Sequence, residues 1–555
     1  MAESVSAHLL SVGTSLTKIE ALTTHKPFCG LPRHSYERAD IYLAMCTGLF
    51  ALLVRLMAAA TLRLSGDEGV IGLMGLDLLN GLPPTVYWYG QEYMGTLENI
   101  IAAPFIAVFG ARAISIRMPS VVATGTAVAL VYIYFARRGE RIAAVTAAML
   151  LALSPTFFSD ITSRARGGYG ITLPLAAGMV LAAAPQQALS FKRGLLLGLL
   201  AGIAFWTNPQ TAGISLLLLV WVAFARCSKA GMAGLCLGAL AGLAPSLVHM
   251  AQTGVFMRLS MTAFQGTRPG ALVVLRRAFA VLGIGGPAPL MLKAATAAVN
   301  AGFLAVGAGM YIIARAREGG GRELDALGVM PLVAGVMVAA SPTAYPQHRY
   351  LYLGYFALVL LAACGWQRLG VRAAGAALGA LLAVNAVSLA LYHRSDPYAE
   401  EYFCAREYQQ VIEVLESKAI NDVVTDYGVD FSLMYLTELD VMALPVPLGG
   451  VWTTRYEQAL VRVPDAGSFA VVLYVQPEHE KLKNHMRPSV FAEFLLETGR
   501  TAEVHTLGRI TILHNISGME SASDLTEYGI WAHERYPVLE ALVPSVQAAP
   551  LYRRR

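Results

Sequence analysis

Six carboxylates stand apart from the other acidic residues of the first 392 positions, because they fall in two short segments between apolar stretches. The segments are 63–112 and 159–168, and the carboxylates are Asp67, Glu68, Asp77, Glu92, Glu98 and Asp160. A carboxylate beside a membrane is costly unless it is solvated, paired or used in chemistry. Their concentration in an otherwise acid-poor region therefore predicts a reaction site or a transport site.

The elements that must hold these carboxylates follow from composition. Hydrophobic residues make up 56% of the 555-residue chain and charged residues 14%, against roughly 45–50% and about 25% in soluble proteins. Apolar stretches of approximately the length of one bilayer crossing recur at 41–62, 114–135, 142–158, 169–184, 195–206, 211–225, 232–249, 294–313, 326–340, 350–366 and 373–391. The pattern excludes a soluble or disordered chain and predicts a polytopic α-helical membrane protein with about 11 transmembrane helices.

The orientation follows from the basic residues, which occupy alternate short loops between the predicted spans, as the positive-inside rule requires. We therefore expect a cytosolic tail at 1–40, a transmembrane domain at 41–392 and an extracytoplasmic soluble domain at 393–555, in a multi-pass protein of the cell inner (plasma) membrane. The segment 250–293 carries five basic residues and no acid, and lies outside on this topology, against the charge rule. Such a segment could hold anionic lipid headgroups or a phosphate-bearing partner.

The last 163 residues contain 23 of the 37 acidic residues, which suits a folded domain in water. Their patterns predict an α/β fold, with strands near 422–426, 441–444, 469–475 and 510–514 and a helix at 431–436. The net charge of +5 does not indicate nucleic-acid binding, and the six cysteines show no disulfide or metal spacing.

The first acidic segment has helical signals of its own. Asp67 could cap a helix over 69–80 that stops at Gly81, and capping is the structural alternative to a catalytic role. A second helix follows Gly95, but about 13 residues are too few to cross a bilayer, so it should lie along the membrane interface. Arg55, inside the first span, could pair with a carboxylate of this loop or extend outward to the interface.

Several stretches resemble a known family. Asp67-Glu68 after the first span, YGQEYMGTLE (89–98), FGARAISIR (109–117) and HRYLYLGY (348–355) resemble polyprenyl-phosphate-dependent glycosyltransferases of the GT-C superfamily. The closest groups are the bacterial protein-mannosyltransferase-like enzymes of glycosyltransferase family 39 and the aminoarabinose-transferase-like enzymes. The resemblance runs over about 41–392 and implies transfer of a sugar from a polyprenyl phosphate to an acceptor at the outer face. Such enzymes carry an acidic residue near the acceptor in the first loop, which Asp67 matches, and often a second after the third span, where this chain reads SRARGGYG (163–170).

This chemistry needs a base for the acceptor and cations for the leaving phosphate. A carboxylate within hydrogen-bond reach can take the proton of an acceptor hydroxyl, a role that we assign to Asp67, with Glu68 as the second choice. Guanidinium groups match phosphate geometry, although each could instead anchor to lipid headgroups. The expected substrate-binding residues are Glu92, Glu98, Arg164, Arg166, His348, Arg349 and Tyr350.

Cofactors and partners follow from the same interpretation. The sequence indicates no definite cofactor and leaves a divalent metal open, because Glu92 and Glu98 could bind either sugar hydroxyls or a divalent metal. The expected partners are a polyprenyl-phosphate-sugar donor, a glycan, lipid or protein acceptor and membrane lipids. The alternative function is a transporter or flippase of a polyprenyl-linked or other anionic substrate, suggested by the basic segment 250–293.

Overall fold

The structure is a computed structural model of the full chain. It describes residues 38–89, 91–184, 188–226, 228–257, 282–283, 288–318, 323–340, 348–396, 403–445, 459, 462–474 and 488–535. The tail 1–37 and most of the basic segment 250–293 lie outside the described residues, so the predictions made for them stay predictions.

Helices dominate the first 394 residues. In chain order they are α1 (Arg38–Thr61), α2 (Gly66–Leu79), α3 (Leu97–Phe109), α4 (Ala113–Ala136), α5 (Arg141–Ala152), α6 (Thr156–Ser163), α7 (Tyr169–Ala183), α8 (Phe191–Thr207), α9 (Ala212–Arg226), α10 (Lys229–Gly242), α11 (Ala244–Thr253), α12 (Leu290–Glu318), α13 (Glu323–Leu327), α14 (Met330–Ala340), α15 (Tyr352–Trp366) and α16 (Gly370–Arg394). A short hairpin, β1 (Tyr87–Trp88) and β2 (Gln91–Gly95), precedes α3. Each of the eleven predicted apolar stretches overlaps one helix or two successive helices.

Long apolar helices confirm a multi-pass membrane protein. Within the described ranges, 4 helical stretches are long and apolar enough to cross a membrane, namely α1, α4, Leu290–Arg317 and the joined Tyr352–Arg394. Two pairs bent by 73° and 58°, α5 with α6 and α10 with α11, raise this number to 6. Shorter apolar helices include α3 and α7. The total of eleven crossings remains a prediction.

Glycine spacing sets the closest helix packing, between α8 and α10. Gly194, Gly198 and Gly202 line one face of α8 at four-residue intervals and contact the backbone of α10. A Cβ atom at Gly194 would lie 2.1 Å from the carbonyl oxygen of Gly231. Small residues at such intervals let two helix backbones approach inside a membrane, where burial of apolar surface drives no association.

Arg55 satisfies the backbone at the bend between α5 and α6. Its fully buried guanidinium donates to the carbonyl oxygens of Leu151 and Ala152 at 2.8 and 2.9 Å and to the hydroxyls of Ser154 and Thr162 at 2.8 Å. The bend interrupts the helical ladder, and the guanidinium supplies donors for the carbonyls at the end of α5. Neither alternative expected for Arg55 describes this contact, because its guanidinium donates to carbonyls and hydroxyls of one broken span.

The first loop forms the two helices expected from its sequence, with one correction. Helix α2 begins at Gly66 and not at Gly69, so Asp67 lies inside its first turn and does not cap it. Ser65 takes the cap position, and Glu68 accepts hydrogen bonds from the backbone N–H and the hydroxyl of Ser65, both at 3.0 Å. The reciprocal pairing of a serine with a glutamate three residues later defines the start of the helix. Helix α3 has the expected 13 residues and ends at Gly110.

The C-terminal region contains the predicted α/β domain. Its helices are α17 (Ala405–Ser417), α18 (Tyr427–Leu436), α19 (Pro488–Thr498) and α20 (Leu525–Arg535), and its strands are β3 (Asp422–Thr425), β4 (Met442–Pro445), β5 (Ala470–Tyr474), β6 (Glu503–Leu507) and β7 (Ile510–His514). The sheet order is β4-β3-β5-β7-β6, with β3 parallel to β4 and β5, and β7 antiparallel to β5 and β6. The edge strand β6 was missed because His505 and Thr506 break its apolar pattern.

The α/β domain packs directly on the first loop. Helix α18 contacts α2, and Gly72 of α2 faces the ring of Tyr435 so closely that a Cβ atom there would lie 2.4 Å from it. Buried side chains of α2, α3 and the sheet form one continuous apolar cluster. The loop that carries the candidate carboxylates and the soluble domain therefore lie on the same side of the bundle.

Candidate active site

The first-loop glutamate Glu68 is the centre of a buried ionic cluster. Its side chain is 0% exposed and accepts from Nε of Arg117 at 2.6 Å and from Nη1 of Arg164 at 3.0 Å. Burial alone would raise the pKa of this carboxyl, but the two guanidinium groups outweigh burial and lower the pKa of Glu68 to about 2. Glu68 is thus ionised at neutral pH and enclosed by its cations.

Arg117 connects this cluster to the end of α1. Besides Glu68, it donates to the carbonyl oxygens of Ala59 at 2.6 Å, Leu62 at 2.8 Å and Arg63 at 2.9 Å. These carbonyls belong to the last turn of α1 and the connector that follows. One side chain therefore satisfies the helix end and sets the position at which α2 begins. Sequence reasoning missed Arg117, although it lies in the family-like stretch 109–117 and is a cation inside an apolar span, which is itself a signal of function.

The segment after α6 supplies the remaining cations. Arg164 is 0% exposed; its Nε donates to Asp160 at 2.9 Å and its Nη1 to the carbonyl oxygen of Arg63 at 2.7 Å. Arg166 retains 20% side-chain exposure, with Nη1 4.0 Å from Asp160. The structure thus brings Asp160, Arg164 and Arg166 together with Glu68. It buries Arg164 inside the cluster and leaves Arg166 accessible at its edge.

Glu98, at the start of α3, holds the other side of this segment. Its carboxylate accepts from the hydroxyl of Ser120 at 2.6 Å and from the backbone N–H groups of Gly167 at 2.9 Å and Gly168 at 2.7 Å. Complete burial raises the pKa of Glu98 to about 7, despite these three donors and with a further contribution from the charge of Glu68. With both oxygens engaged by protein donors, Glu98 orients the loop.

The two glycines are required by the backbone of this loop. Gly167 and Gly168 have φ of 87° and 81°, in the left-handed region that side chains avoid. A Cβ atom at Gly167 would lie 1.6 Å from Cε of Met94, and one at Gly168 would lie 2.5 Å from Cγ2 of Thr207. The tight loop directs two successive N–H groups toward Glu98. It thereby fixes the backbone position of Arg166, which directly precedes Gly167.

Asp67, the predicted base, has a different environment from its neighbour. It is partly exposed in the first turn of α2, whereas Glu68 is buried. Arg349 is also partly exposed, on the short 3₁₀ helix His348–Leu351, which packs against α6. This packing brings the helix that carries Arg349 beside α6, the helix that precedes Arg164 and Arg166 in the chain. The side chains of Glu92, His348 and Tyr350 lie outside the described residues.

Two further residues connect the site to other parts of the chain. Arg63, just after α1, bonds Asp396 at 2.7 Å and Glu407 of the α/β domain at 2.9 Å. His393, near the end of α16, shares a hydrogen bond of 2.8 Å with Thr61 at the end of α1. Both were missed because their partners are more than 300 positions away in the sequence. The site is therefore assembled from the first loop, the segment after α6 and the start of the C-terminal region.

Comparison with known proteins agrees with this architecture. Residues 97–250 match the family model described as dolichyl-phosphate-mannose-protein mannosyltransferase. The fold is similar to that of ArnT from Cupriavidus metallidurans bound to undecaprenyl phosphate, with a TM-score of 0.60 and 12% identity over 86% of this chain and 98% of that chain. The apo form of the same protein has a TM-score of 0.58 at 13% identity, covering 86% and 98%.

A longer enzyme shares the fold over part of its length. The arabinofuranosyltransferase AftD from Mycobacteria has a TM-score of 0.51 and 13% identity, covering 86% of this chain and 40% of that chain. No curated protein sequence matches the chain.

The family model matches one stretch of the chain, and the fold is similar to those of ArnT and AftD over most of its length. These findings agree with the resemblance inferred from the sequence. At such low identity the likeness shows the fold alone, so the roles of individual residues are argued from the geometry of this chain.

Proposed function

We propose that the protein transfers a sugar from a polyprenyl-phosphate donor to an acceptor hydroxyl at the outer face of the cell inner (plasma) membrane, with Asp67 as the general base. The observation that carries the assignment is the contrast between two adjacent carboxylates. Glu68 is enclosed by Arg117 and Arg164, whereas Asp67 is partly exposed on the same helical turn. Only Asp67 is accessible to an incoming acceptor.

Basicity gives a second reason to separate the two roles. A general base works best when its pKa lies close to the working pH, and the arginines hold the pKa of Glu68 at about 2. Glu68 would therefore accept a proton poorly even if an acceptor reached it. We assign it a positioning role, in which it fixes the start of α2 through Ser65 and thereby the direction of Asp67.

The departing phosphate needs cations that remain accessible. Arg166 is partly exposed beside the buried cluster, and Arg349 is partly exposed on a short helix that packs against α6. We assign both to the phosphate, since guanidinium donors match phosphate oxygens and stay charged near a membrane. Arg164, which is fully buried and bonded to Asp160 and Glu68, orients the segment that presents Arg166. His348 and Tyr350 precede or follow Arg349 directly and stay candidates for the same subsite.

The departing polyprenyl phosphate is a good leaving group, because a phosphate monoester needs no proton to stabilise it at neutral pH. The acceptor oxygen forms a bond to the anomeric carbon while the bond from that carbon to the phosphate oxygen breaks with inversion. The electron pair leaves with the polyprenyl phosphate, whose charge Arg166 and Arg349 stabilise. The acceptor proton passes to Asp67. A glycan, a lipid or a protein hydroxyl satisfies these requirements equally, so the acceptor class is left open in this proposal.

The carboxylates of the second loop helix take supporting roles. Glu98 is occupied by Ser120 and by the two glycine N–H groups, so we place it in the scaffold and not on the sugar or a metal. Glu92 is retained as a candidate for sugar hydroxyls. Membrane lipids surround the bundle, and the soluble domain, docked on α2, lies beside the path of the acceptor.

The decisive assay is transfer of a radiolabelled sugar from a synthetic polyprenyl phosphate by the purified enzyme in detergent. The substitution Asp67→Asn keeps the size of the side chain but removes its basicity, and should lower the rate by about 100-fold or more. The matched control is Asp77→Asn, the same substitution at the other end of α2, where the hydroxyl of Tyr89 can still donate to the amide oxygen. The control should retain activity close to wild type.

Two results would separate the parts of the proposal. Wild-type turnover by the Asp67→Asn variant would remove Asp67 from the mechanism while leaving the donor class intact. Absence of transfer by the wild-type enzyme from any polyprenyl-phosphate sugar, with every acceptor class present, would contradict the donor assignment itself.

A further inference from the structure

Three potential metal ligands meet at the far edge of the soluble domain. Glu503 and His505 lie two residues apart on β6 and therefore face the same side of the sheet, and His514 closes β7 directly opposite Glu503. One ligand atom from each residue lies within 4.8 Å of the other two. None of these residues contributes to the site described above.

The buried imidazole of His514 is a second observation, independent of the clustering, that indicates a bound ion. Its side chain is only 2% exposed, and its Nε2 has no hydrogen-bond partner among the described residues. A buried imidazole nitrogen without a partner carries a desolvation cost that proteins normally avoid. The atom is directed at Glu503, whose Oε2 lies 3.5 Å away.

This separation fits a shared metal ion. In a tetrahedral zinc site, with zinc to nitrogen and zinc to oxygen distances of about 2.0–2.2 Å, two ligand atoms are about 3.4 Å apart. The separation of 3.5 Å between His514 and Glu503 is close to that value. The ring of His505 stacks parallel to that of His514, with centroids 5.3 Å apart and an interplanar angle of 11°. A ligand nitrogen of the more exposed His505 lies within 4.8 Å of the ligand atoms of both other residues.

A neighbouring side chain orients the carboxylate of Glu503, as hydrogen-bond partners of metal ligands commonly do. Nδ2 of Asn515 donates to Oε1 of Glu503 at 2.7 Å, so Oε2 is the oxygen turned toward His514. Hydrogen bonds of this kind fix the direction of a ligating carboxylate. The ammonium group of Lys418 lies 3.7 Å from the same Oε2. The flexible side chain of Lys418 is partly exposed, so the ammonium group can move into solvent when a cation binds.

We propose that Glu503, His505 and His514 bind a divalent cation of the zinc class, with water as the fourth ligand. Two imidazoles and one carboxylate are a ligand set that zinc and its neighbours in the first transition row prefer to magnesium or calcium. The ion joins the edge strand β6 to β7 at the open end of their hairpin. At the closed end, Arg509 bonds Glu407, which in turn bonds Arg63 beside the first loop.

The test uses the untagged full-length protein in detergent, stripped of metal and titrated with Co²⁺ as the spectroscopic probe. Wild type should bind about one equivalent with visible absorption bands typical of nitrogen and oxygen ligands, and Zn²⁺ should displace it. The variant His505→Ala, which alters the most accessible imidazole, should lose these bands and bind at least tenfold more weakly. Val504→Ala, on the opposite face of the same strand, is the matched control and should bind as wild type.

Every outcome of this titration decides the proposal. Loss of the cobalt bands in His505→Ala and in Glu503→Gln, with binding retained in Val504→Ala, supports the three-ligand site. Equal binding by wild type and His505→Ala contradicts it, as does absence of binding by wild type. In the last case the three side chains lie together without a metal ion. Binding does not depend on transfer activity, so the glycosyltransferase proposal is tested separately.

Discussion

The buried cluster around Glu68 makes a quantitative prediction for the substitution Glu68→Gln. The amide keeps the shape of the side chain and can still bond Ser65, but it leaves the guanidinium groups of Arg117 and Arg164 without their shared anion. The pKa of Glu68 is lowered from 4.5 to about 2, and one unit corresponds to about 1.4 kcal/mol. The carboxylate therefore contributes about 3 kcal/mol to folding at neutral pH, a value typical of a broken buried ion pair.

The pH dependence of this contribution follows from linkage. Because the pKa of Glu68 is lower in the folded state, its contribution is fully present above a pH of about 4.5 and is lost as pH falls through about 2. The difference in stability between wild type and Glu68→Gln should therefore be largest at neutral pH and shrink below pH 4.5.

The measurement is equilibrium unfolding of the purified protein by SDS in mixed micelles, at several pH values between 3 and 8. The matched control is Glu98→Gln, because Glu98 is also a fully buried carboxylate of the first loop but has a raised pKa. Equal unfolding midpoints for wild type and Glu68→Gln at pH 7 would show that the ionic cluster does not hold the loop, and would refute the reasoning.

Two further predictions concern the segment between the two glutamates. Because the pKa of Glu98 is raised to about 7 in the folded state, its contribution to stability is greatest below pH 4.5 and is lost as pH rises through 7. The variant Glu98→Gln should therefore be more stable than wild type at pH 8 and equal to it at pH 4 in the same unfolding assay. A variant less stable than wild type at pH 8 would contradict the assigned protonation. Gly168→Ala should destabilise the protein by about 1–2 kcal/mol through its left-handed backbone, and further because the new Cβ meets Thr207 at 2.5 Å. Gly254→Ala is its control, since Gly254 has a φ of 75° but nothing within 4 Å of an added Cβ atom, and equal losses in the two variants would show that the contact with Thr207 is unimportant.

Local patterns predicted the helices and strands well. The hydrophobic run at 114–135 corresponds to α4, and the alternation near 510–514 corresponds to β7. Both depend on neighbours within a few residues, which a single sequence shows directly. The start of α2 was misplaced by three residues, because two acidic residues and a serine all favour the same helix end, and the choice depends on Arg117.

The interior of the site could be predicted only in part. The concentration of carboxylates in the first loop was visible in the sequence, and the resemblance singled out Asp67. The pairing of Glu68 with Arg117 and Arg164 was not visible, because these residues are 49 and 96 positions apart in the chain. Which of two adjacent carboxylates becomes buried depends on the rotation of α2 against α4, a property of packing that local sequence patterns do not contain.

The role of Arg55 shows the same difference between composition and packing. A charged residue in an apolar span indicates a structural or functional role, and that much was clear from the sequence. Its partners are backbone carbonyls exposed by the break between α5 and α6. A break of this kind has no charge pattern of its own, so the sequence offered only carboxylates or the membrane interface as partners.

The central claim is that the first-loop carboxylates and the soluble domain share the outer face of the membrane. Cysteine labelling in intact cells tests it most directly, in a chain whose own cysteines are replaced by serine. Three exposed positions receive the single cysteines. Asn80→Cys lies at the end of α2 in the first loop, and Glu413→Cys lies on α17 of the soluble domain. Arg137→Cys lies just after α4, at the end of that helix far from the first loop. An impermeant maleimide should label the first two positions and spare the third until the cells are opened. Labelling of Arg137→Cys alone in intact cells would place Asp67 in the cytosol and contradict the proposed reaction at the outer face.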